Sequence, residues 1–319
     1  MARMDFFNDI QSVIDDWKDT TFTFVPKNSV PGIDDSSLTY GNGEEKKGVE
    51  LSTCVLYVDI RDSVKLSLEK HAKTMGKIYS VFAHCVLLAA DYEGGFVRNI
   101  IGDRVMVVFP PDNCFTKAVN CAITINHIAK EINKKFTDIE FKCGIGVDYG
   151  KLSVMKVGIL KKGVENDDNK GLVWVGRPAN LASRLTDCAN KRICDVVYCV
   201  DAEFYEYHPF GGPYFSRETG WYNKKKELTA EELASSLESS KYNSELSSKS
   251  FRHTRSIERR VKTYEYKPIL ITDTVYQKYA KLNSERKDVK SNLWTKESRK
   301  INDVELDVWG ADLYWVLNK

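Results

Sequence analysis

The sequence predicts an α+β fold in which an antiparallel sheet is covered by helices on one face, and three observations lead there. Leu56-Tyr-Val-Asp-Ile60 ends an apolar run of strand character. Asn99-Ile-Ile-Gly-Asp103-Arg-Val-Met-Val-Val-Phe109 sets a Gly-Asp pair between two β-rich runs, which marks a tight hairpin. Two long stretches of helical periodicity separate these pieces from each other and from a third strand near Asp148. The resulting order, β-α-β-β-α-β, is the ferredoxin-like split unit.

Each element has a local reason. Phe6, Ile10, Val13, Ile14 and Trp17 recur at helical spacing among acidic residues, so residues 1–18 read as a short amphipathic helix. A polar arm rich in Pro and Gly follows and ends at Lys46-Lys47-Gly48; its basic residues read as solvated. Val49 to Ile60 is the first strand. Ser63 to Tyr92 is helical, with a break expected near Gly76 and a stop at Gly94-Gly95. Pro110-Pro111-Asp112 opens the second helix, whose apolar stripe includes Ala118, Cys121, Ile125 and Ile132. Glu140 to Asp148 alternates as a strand, with a turn expected at Tyr149-Gly150. A polar loop over Lys161 to Lys170 then leads to a short strand, Gly171 to Gly176, and to a helix from about Ala179.

Bulk properties exclude several classes. The 319 residues carry 47 Lys and Arg against 45 Asp and Glu, a net charge of +2 that points to neither nucleic acid nor membrane. The eight cysteines include no Cys-x-x-Cys and no His-Cys zinc spacing, which suits reduced thiols in a cytoplasmic protein. The first residues are too acidic for a signal peptide, and the longest apolar run, Val81 to Ala90, is too short for a membrane span.

If the first strand pairs antiparallel with the third, Asp59 at the end of one meets Asp103 at the start of the other. Two carboxylates at one sheet edge are unfavourable unless a cation separates them. Oxygen-only ligands suit Mg²⁺ or Mn²⁺, and two such ions roughly 3.5–4 Å apart serve displacement at phosphorus. Asn180 and Arg184, four apart on a helix, share one face. An amide and a guanidinium there suit a ribose oxygen and a phosphoryl transition state; the alternative is a surface Asn and an ion-paired Arg.

Val-Asp-Ile (58–60), Ile-Gly-Asp (101–103) and Asn-Leu-Ala-Ser-Arg (180–184), in this order, resemble the catalytic domain of class III nucleotidyl cyclases. The resemblance covers residues 49–190. It implies that Asp59, Asp103 and the Ile60 carbonyl hold two divalent metal ions, Mn²⁺ or Mg²⁺. It also implies that Asn180 orients the ribose and Arg184 stabilises the transition state. These two come from the partner subunit, in a homodimer with composite sites. The triphosphate would approach the loop Ile60 to Ser63, where Arg61 and Ser63 are the candidate phosphate contacts.

Three positions depart from the family pattern. Asp62 stands where Gly is usual. Asn99 replaces the Lys of adenylate cyclases or the Glu of guanylate cyclases, and Val173 replaces the Asp, Thr or Cys of the second specificity position. Asn99 offers a donor and an acceptor to a smaller base, and an inward Trp174 would fill the space of a purine's second ring. The pattern resembles the pyrimidine cyclases of bacterial anti-phage (Pycsar) defence. That implies cyclic UMP or cyclic CMP, with UTP favoured, made as a signal for a companion effector. The alternatives are a purine cyclase with atypical specificity residues and a non-catalytic nucleotide-binding dimer.

The organisation expected from this reading is a helix and arm over 1–48, a cyclase core over 49–190, an insertion over 191–267 and closing elements over 268–319. The insertion turns Ser-rich after Glu227, which predicts mobility there and a short helix over Glu231 to Leu237. Its basic segment, Arg252 to Arg260, reads as a solvated face.

Overall fold

Strand β2 (Lys46–Ile60) is the member from which the sheet grows on both sides. The computed structural model describes residues 3–41, 45–63, 66, 68, 71–161, 164–208, 218–238, 247–248, 250–301 and 304–316. On one side β2 pairs antiparallel with β4 (Arg104–Val108), and β4 pairs with β3 (Phe96–Ile101). Gly102, at φ +62°, takes the first central position of their two-residue turn, where glycine is favoured. On the other side β2 pairs antiparallel with β5 (Cys143–Lys161), which pairs at its far end with β6 (Val164–Val175). Beyond β5 lie β12 (Ile269–Thr272), β14 (Val304–Ala311) and β13 (Thr295–Ile301). The arm contributes β1 (Phe22–Pro26), parallel to the start of β2. With β12 parallel to β5, the sheet is mixed rather than purely antiparallel.

Alternation along β2 separates two cores. Cys54, Leu56, Val58 and Ile60 face α2 (Ala72–Tyr92) and α3 (Cys114–Lys135), packing with Ile78, Phe82, Ala118 and Ile125. Val275 and Tyr279 of α6 (Asp273–Leu282) join that core. The other set, Val49, Leu51 and Val55, packs with Met106, Leu152 and Val154 against Ala179 and Ala182 of α4 (Arg177–Cys188). Each fully buried aliphatic or Phe side chain contributes about 1.5–3 kcal/mol. The expectation of helices on one face is therefore corrected: α4 covers the opposite face.

Other expectations also change. The helix break lies at His71, in extended conformation before α2, while Gly76 sits inside the helix. A single glycine costs only about 1 kcal/mol, less than the buried Met75–Ile78–Phe82–Val86 stripe supplies. No turn occurs at Tyr149-Gly150, since β5 runs straight through it. Gly150 instead admits the Pro178 ring, which a Cβ would meet at 3.3 Å. The polar stretch up to Lys170 is mostly part of β6, whose charges are paired across the ribbon, as in Lys156–Glu165 at 2.6 Å. Lys46 of the arm is fully buried rather than solvated. Its ammonium lies 2.7 Å from Asp16 of α1 (Arg3–Asp19), donates to the Gly41 carbonyl and sits 5.4 Å from the Trp17 ring centroid. These partners compensate its desolvation.

Residues Met1–Lys191 and Tyr266–Lys319 form one unit; Arg192–Glu265 form a second. The second unit is a three-stranded antiparallel sheet of β11 (Phe251–Glu265), β7 (Arg192–His208) and β8 (Glu218–Thr229). Thr229 closes a capping box on α5 (Ala230–Ser236), after which the two-residue strands β9 (Leu237–Glu238) and β10 (Ser247–Ser248) pair antiparallel. Val200, Ala202, Phe204 and Phe251 make its small core. Arg252 and Arg255 pair with Glu203 and Asp201. Of the Ser-rich stretch, residues 239–246 and 249 lie outside the described residues. Among the described residues no helix is long and apolar enough to cross a membrane.

Candidate active site

The candidate site lies at the end of the sheet where β2 ends and the β3–β4 hairpin turns, with α4 against it. The β2–β4 register runs from Val55↔Val108 to Val58↔Val105. Continued, it sets Asp59 opposite Arg104 and Ile60 opposite Asp103. Both carboxylates are half-buried, and neighbouring strands bring them to one end of the sheet.

Arg104 ties this corner together. Its Nη2 lies 2.9 Å from Asp59 Oδ2 and also donates to Asp187, while Nη1 donates to Ser183 Oγ at 2.9 Å. Ser183 and Asp187 belong to α4, the helix that carries Asn180 and Arg184. Burial works to lower the Arg104 pKa, but the hydrogen bonds and charges of Asp59 and Asp187 outweigh it, so the pKa is raised. A guanidinium thus already neutralises Asp59.

Two glycines let α4 approach so closely. A Cβ at Gly146 would sit 2.2 Å from the Ala182 carbonyl and 2.7 Å from Thr186, and one at Gly144 would strike the Arg61 guanidinium and the Ala189 carbonyl. Thr186 Oγ1 donates to the Tyr57 carbonyl at 3.0 Å, and Asn190 Nδ2 to the Cys143 carbonyl at 3.0 Å. Helix and strand end are therefore held as one piece.

Asn180 and Arg184 are both exposed on α4. Asn99 is exposed on β3 and pairs with Met106, so it lies on the same face of the sheet as Asp59 and Trp174. Trp174 is half-buried and packs on the α4-side core, whereas Val173 is exposed. Adjacent strand residues point to opposite faces, so Val173 and Trp174 do not line one pocket within a chain. Ser63 is half-buried at the loop's end; residues 64 and 65 lie outside the described residues. Arg61 is displaced from its expected place. Its guanidinium is buried, donates to the Thr186 carbonyl, and has its pKa lowered by burial against the field of Asp59. It packs between β5 and α4 instead of facing a triphosphate. Asp62 adopts φ +54°, a left-handed conformation that glycine takes freely and Asp tolerates, which accounts for the residue types used there.

Sequence reasoning missed Arg104, Ser183 and Asp187. The available signal was their placement: Arg104 directly follows Asp103, and Ser183 and Asp187 stand at i+3 and i+7 from Asn180.

No family model matches the chain. It is 34% identical over 194 residues to a uridylate cyclase of Burkholderia cepacia, covering 57% of this chain and 80% of that protein. A uridylate cyclase of Gulbenkiania mobilis is 28% identical over 242 residues, 72% of this chain and 85% of the other. Among solved structures, the adenylyl cyclase CyaB of P. aeruginosa aligns at TM-score 0.47 and 14% identity, over 82% of this chain and 94% of that one. The chain belongs to the class III nucleotidyl cyclase family. It is a nucleotidyl cyclase, a phosphorus–oxygen lyase of a class that acts as dimers on a nucleotide.

Class III cyclases generally use two divalent metal ions. The residues present fit such ions. Asp59 and Asp103 are hard oxygen donors at one sheet end, and Asp59 already holds a cationic group in the form of Arg104. Among the described residues no group of three or more His, Cys, Asp or Glu side chains converges, so further ligands would be backbone and substrate oxygens.

Proposed function

We propose that the chain converts UTP to 3′,5′-cyclic UMP and diphosphate. The observation that carries this reading is its likeness to uridylate cyclases over more than half of its length. In the reaction the ribose 3′-oxygen bonds to the α-phosphorus, the bond from that phosphorus to the bridging oxygen breaks, and diphosphate leaves. The 3′-hydroxyl proton passes to water or buffer base.

In this reading Asp59, Asp103 and the Ile60 carbonyl hold the two cations. When bound, these would acidify the 3′-hydroxyl and neutralise the triphosphate. Asn180 orients the ribose, and Arg184 meets the charge that grows on the α-phosphoryl oxygens, both supplied by the partner subunit of a homodimer. Arg104 is a positioning residue that keeps Asp59 and α4 in fixed relation. Asn99 reads the base edge with one donor and one acceptor. With Arg61 committed to packing, Ser63 remains the candidate phosphate contact of its loop. The product would serve as a cytoplasmic signal to a companion effector in anti-phage defence.

The test is a competition among equimolar ATP, GTP, UTP and CTP with Mn²⁺, with cyclic products resolved by mass. Cyclic UMP is the expected dominant product. Cyclic CMP would replace the base, and a cyclic purine would overturn the pyrimidine reading. Metal binding without any product would favour a non-catalytic dimer.

A further inference from the structure

We infer that α1 is a pairing surface for a second copy of this chain, through a two-stranded helical seam of Phe7, Ile10, Ile14 and Trp17. None of the residues of α1 is buried. Phe7 is 55% exposed, Ile10 37%, Ile14 59% and Trp17 37%, and Met4, Phe6 and Val13 widen the stripe. A helix of 17 residues with no Ala is marginal by itself in water and depends on packing for its stability.

The spacing identifies the kind of partner. Positions 7, 10, 14 and 17 step by 3, 4 and 3, the a/d pattern of a helix that packs along another helix. In the same frame Asp5, Asp9, Asp15, Asp16 and Asp19 fall at b, c and f, away from the seam, so two copies approach without facing carboxylates. Those five acids against Lys18 make the polar face anionic, the reverse of the Lys/Arg-rich face that lies on anionic lipid, and Arg3 stands at the seam's N-terminal end.

The area is of the right order. With about 150–250 Å² for a large aromatic side chain, the seven apolar residues leave on the order of 600 Å² exposed per copy, against about 800 Å² per partner in a standard interface. The remainder is available from the catalytic units, since the family acts as dimers. The helix is also fixed where it joins its own unit. Asp16 is paired with buried Lys46, and Trp17 stacks on Phe22 at 6.2 Å between centroids. It is anchored by its last turn, Trp17 included, and leaves Phe7, Ile10 and Ile14 outward.

This inference is independent of the nucleotide, and its test does not read activity. The full chain carrying Cys194→Ser, which removes the exposed thiol, would receive Ile10→Cys, Ile14→Cys or, on the opposite face, Ser12→Cys. Mild oxidation should yield a disulfide-linked dimer from the seam positions and none from Ser12→Cys. A parallel pair links each seam variant to itself, and an antiparallel pair links only a mixture of the two. In parallel, Ile10→Asp/Ile14→Asp should abolish a concentration-dependent amide protection of residues 5–17. Equal linkage at all three positions, no linkage at the seam, or protection that appears only with phosphatidylglycerol vesicles would overturn it.

Discussion

Arg104 Nη2 lies 2.9 Å from Asp59 Oδ2, so the first residue of β4 holds the last carboxylate of β2. The same guanidinium reaches Ser183 and Asp187 on α4. The candidate metal edge and the helix bearing Asn180 and Arg184 are thereby joined through one side chain.

Arg104→Gln should free Asp59 from its internal counter-ion. Without metal the variant should lose about 1–2 kcal/mol, since the pair is only partly buried. Mn²⁺ should then raise its melting temperature more than it raises that of the wild type, and should bind several-fold more tightly by calorimetry. An unchanged metal affinity would show that Arg104 does not compete for Asp59.

Asp103→Ala should reduce cyclic nucleotide formation by at least about 10²-fold with little loss of stability, because Asp103 sits in a turn. Asp59→Asn should lose activity to the same degree and about 1 kcal/mol besides, since Arg104 loses one of its two carboxylate partners and keeps Asp187. Thermal unfolding with turnover assays separates the two effects. Full activity in either variant would end the two-cation reading.

Arg184→Ala and Asp103→Ala proteins, each inactive alone, should complement when their subunits are exchanged. In a heterodimer with composite sites, one site collects both substitutions and the other collects none. An equal mixture should recover about a quarter of wild-type turnover. No recovery after verified exchange would place the whole site within one chain.

Gly146→Ala should destabilise by about 1–3 kcal/mol, because its Cβ would strike the Ala182 carbonyl at 2.2 Å. Gly171→Ala, with nothing within 4 Å, is the matched control. Chemical denaturation of the two variants measures the contrast, and equal stabilities would refute the close docking of α4.

Asp148 is fully buried; Oδ1 accepts from Thr272 Oγ1 at 2.7 Å, and Oδ2 has no partner among the described residues. Burial raises its pKa above the ordinary 3.8, against the lowering effect of the Thr272 hydrogen bond. The folded chain therefore holds this proton more tightly than the unfolded chain. Stability from this group falls as pH rises from 3.8 through the folded value. Asp148→Asn should be more stable than wild type above that window, and the difference should shrink as pH falls below it.

The β-α-β-β-α-β order along the chain, the Gly102-Asp103 hairpin and the apolar stripes of α2 and α3 were legible in the sequence, because period-2 and period-3.6 patterns are local properties of a chain. Asp59 stood out for the same reason, as a carboxylate in an apolar strand. Contacts between distant segments were not legible. Arg61 reads as an exposed cation beside a phosphate loop, and only the docked α4 turns it inward to the Thr186 carbonyl. Gly150 reads as a turn, and only the Pro178 ring above it explains a straight strand. Lys46 reads as solvated, and only Asp16 and Gly41 make its burial tolerable.

By itself, then, the sequence determined most elements of the core and marked the candidates for chemistry, since propensity and periodicity act over a few residues. The tertiary structure decided which charges meet. Arg104 joins Asp59 to Asp187 across separations of 45 and 83 residues, and such pairings exist only once the sheet register and the docking of α4 bring the segments together.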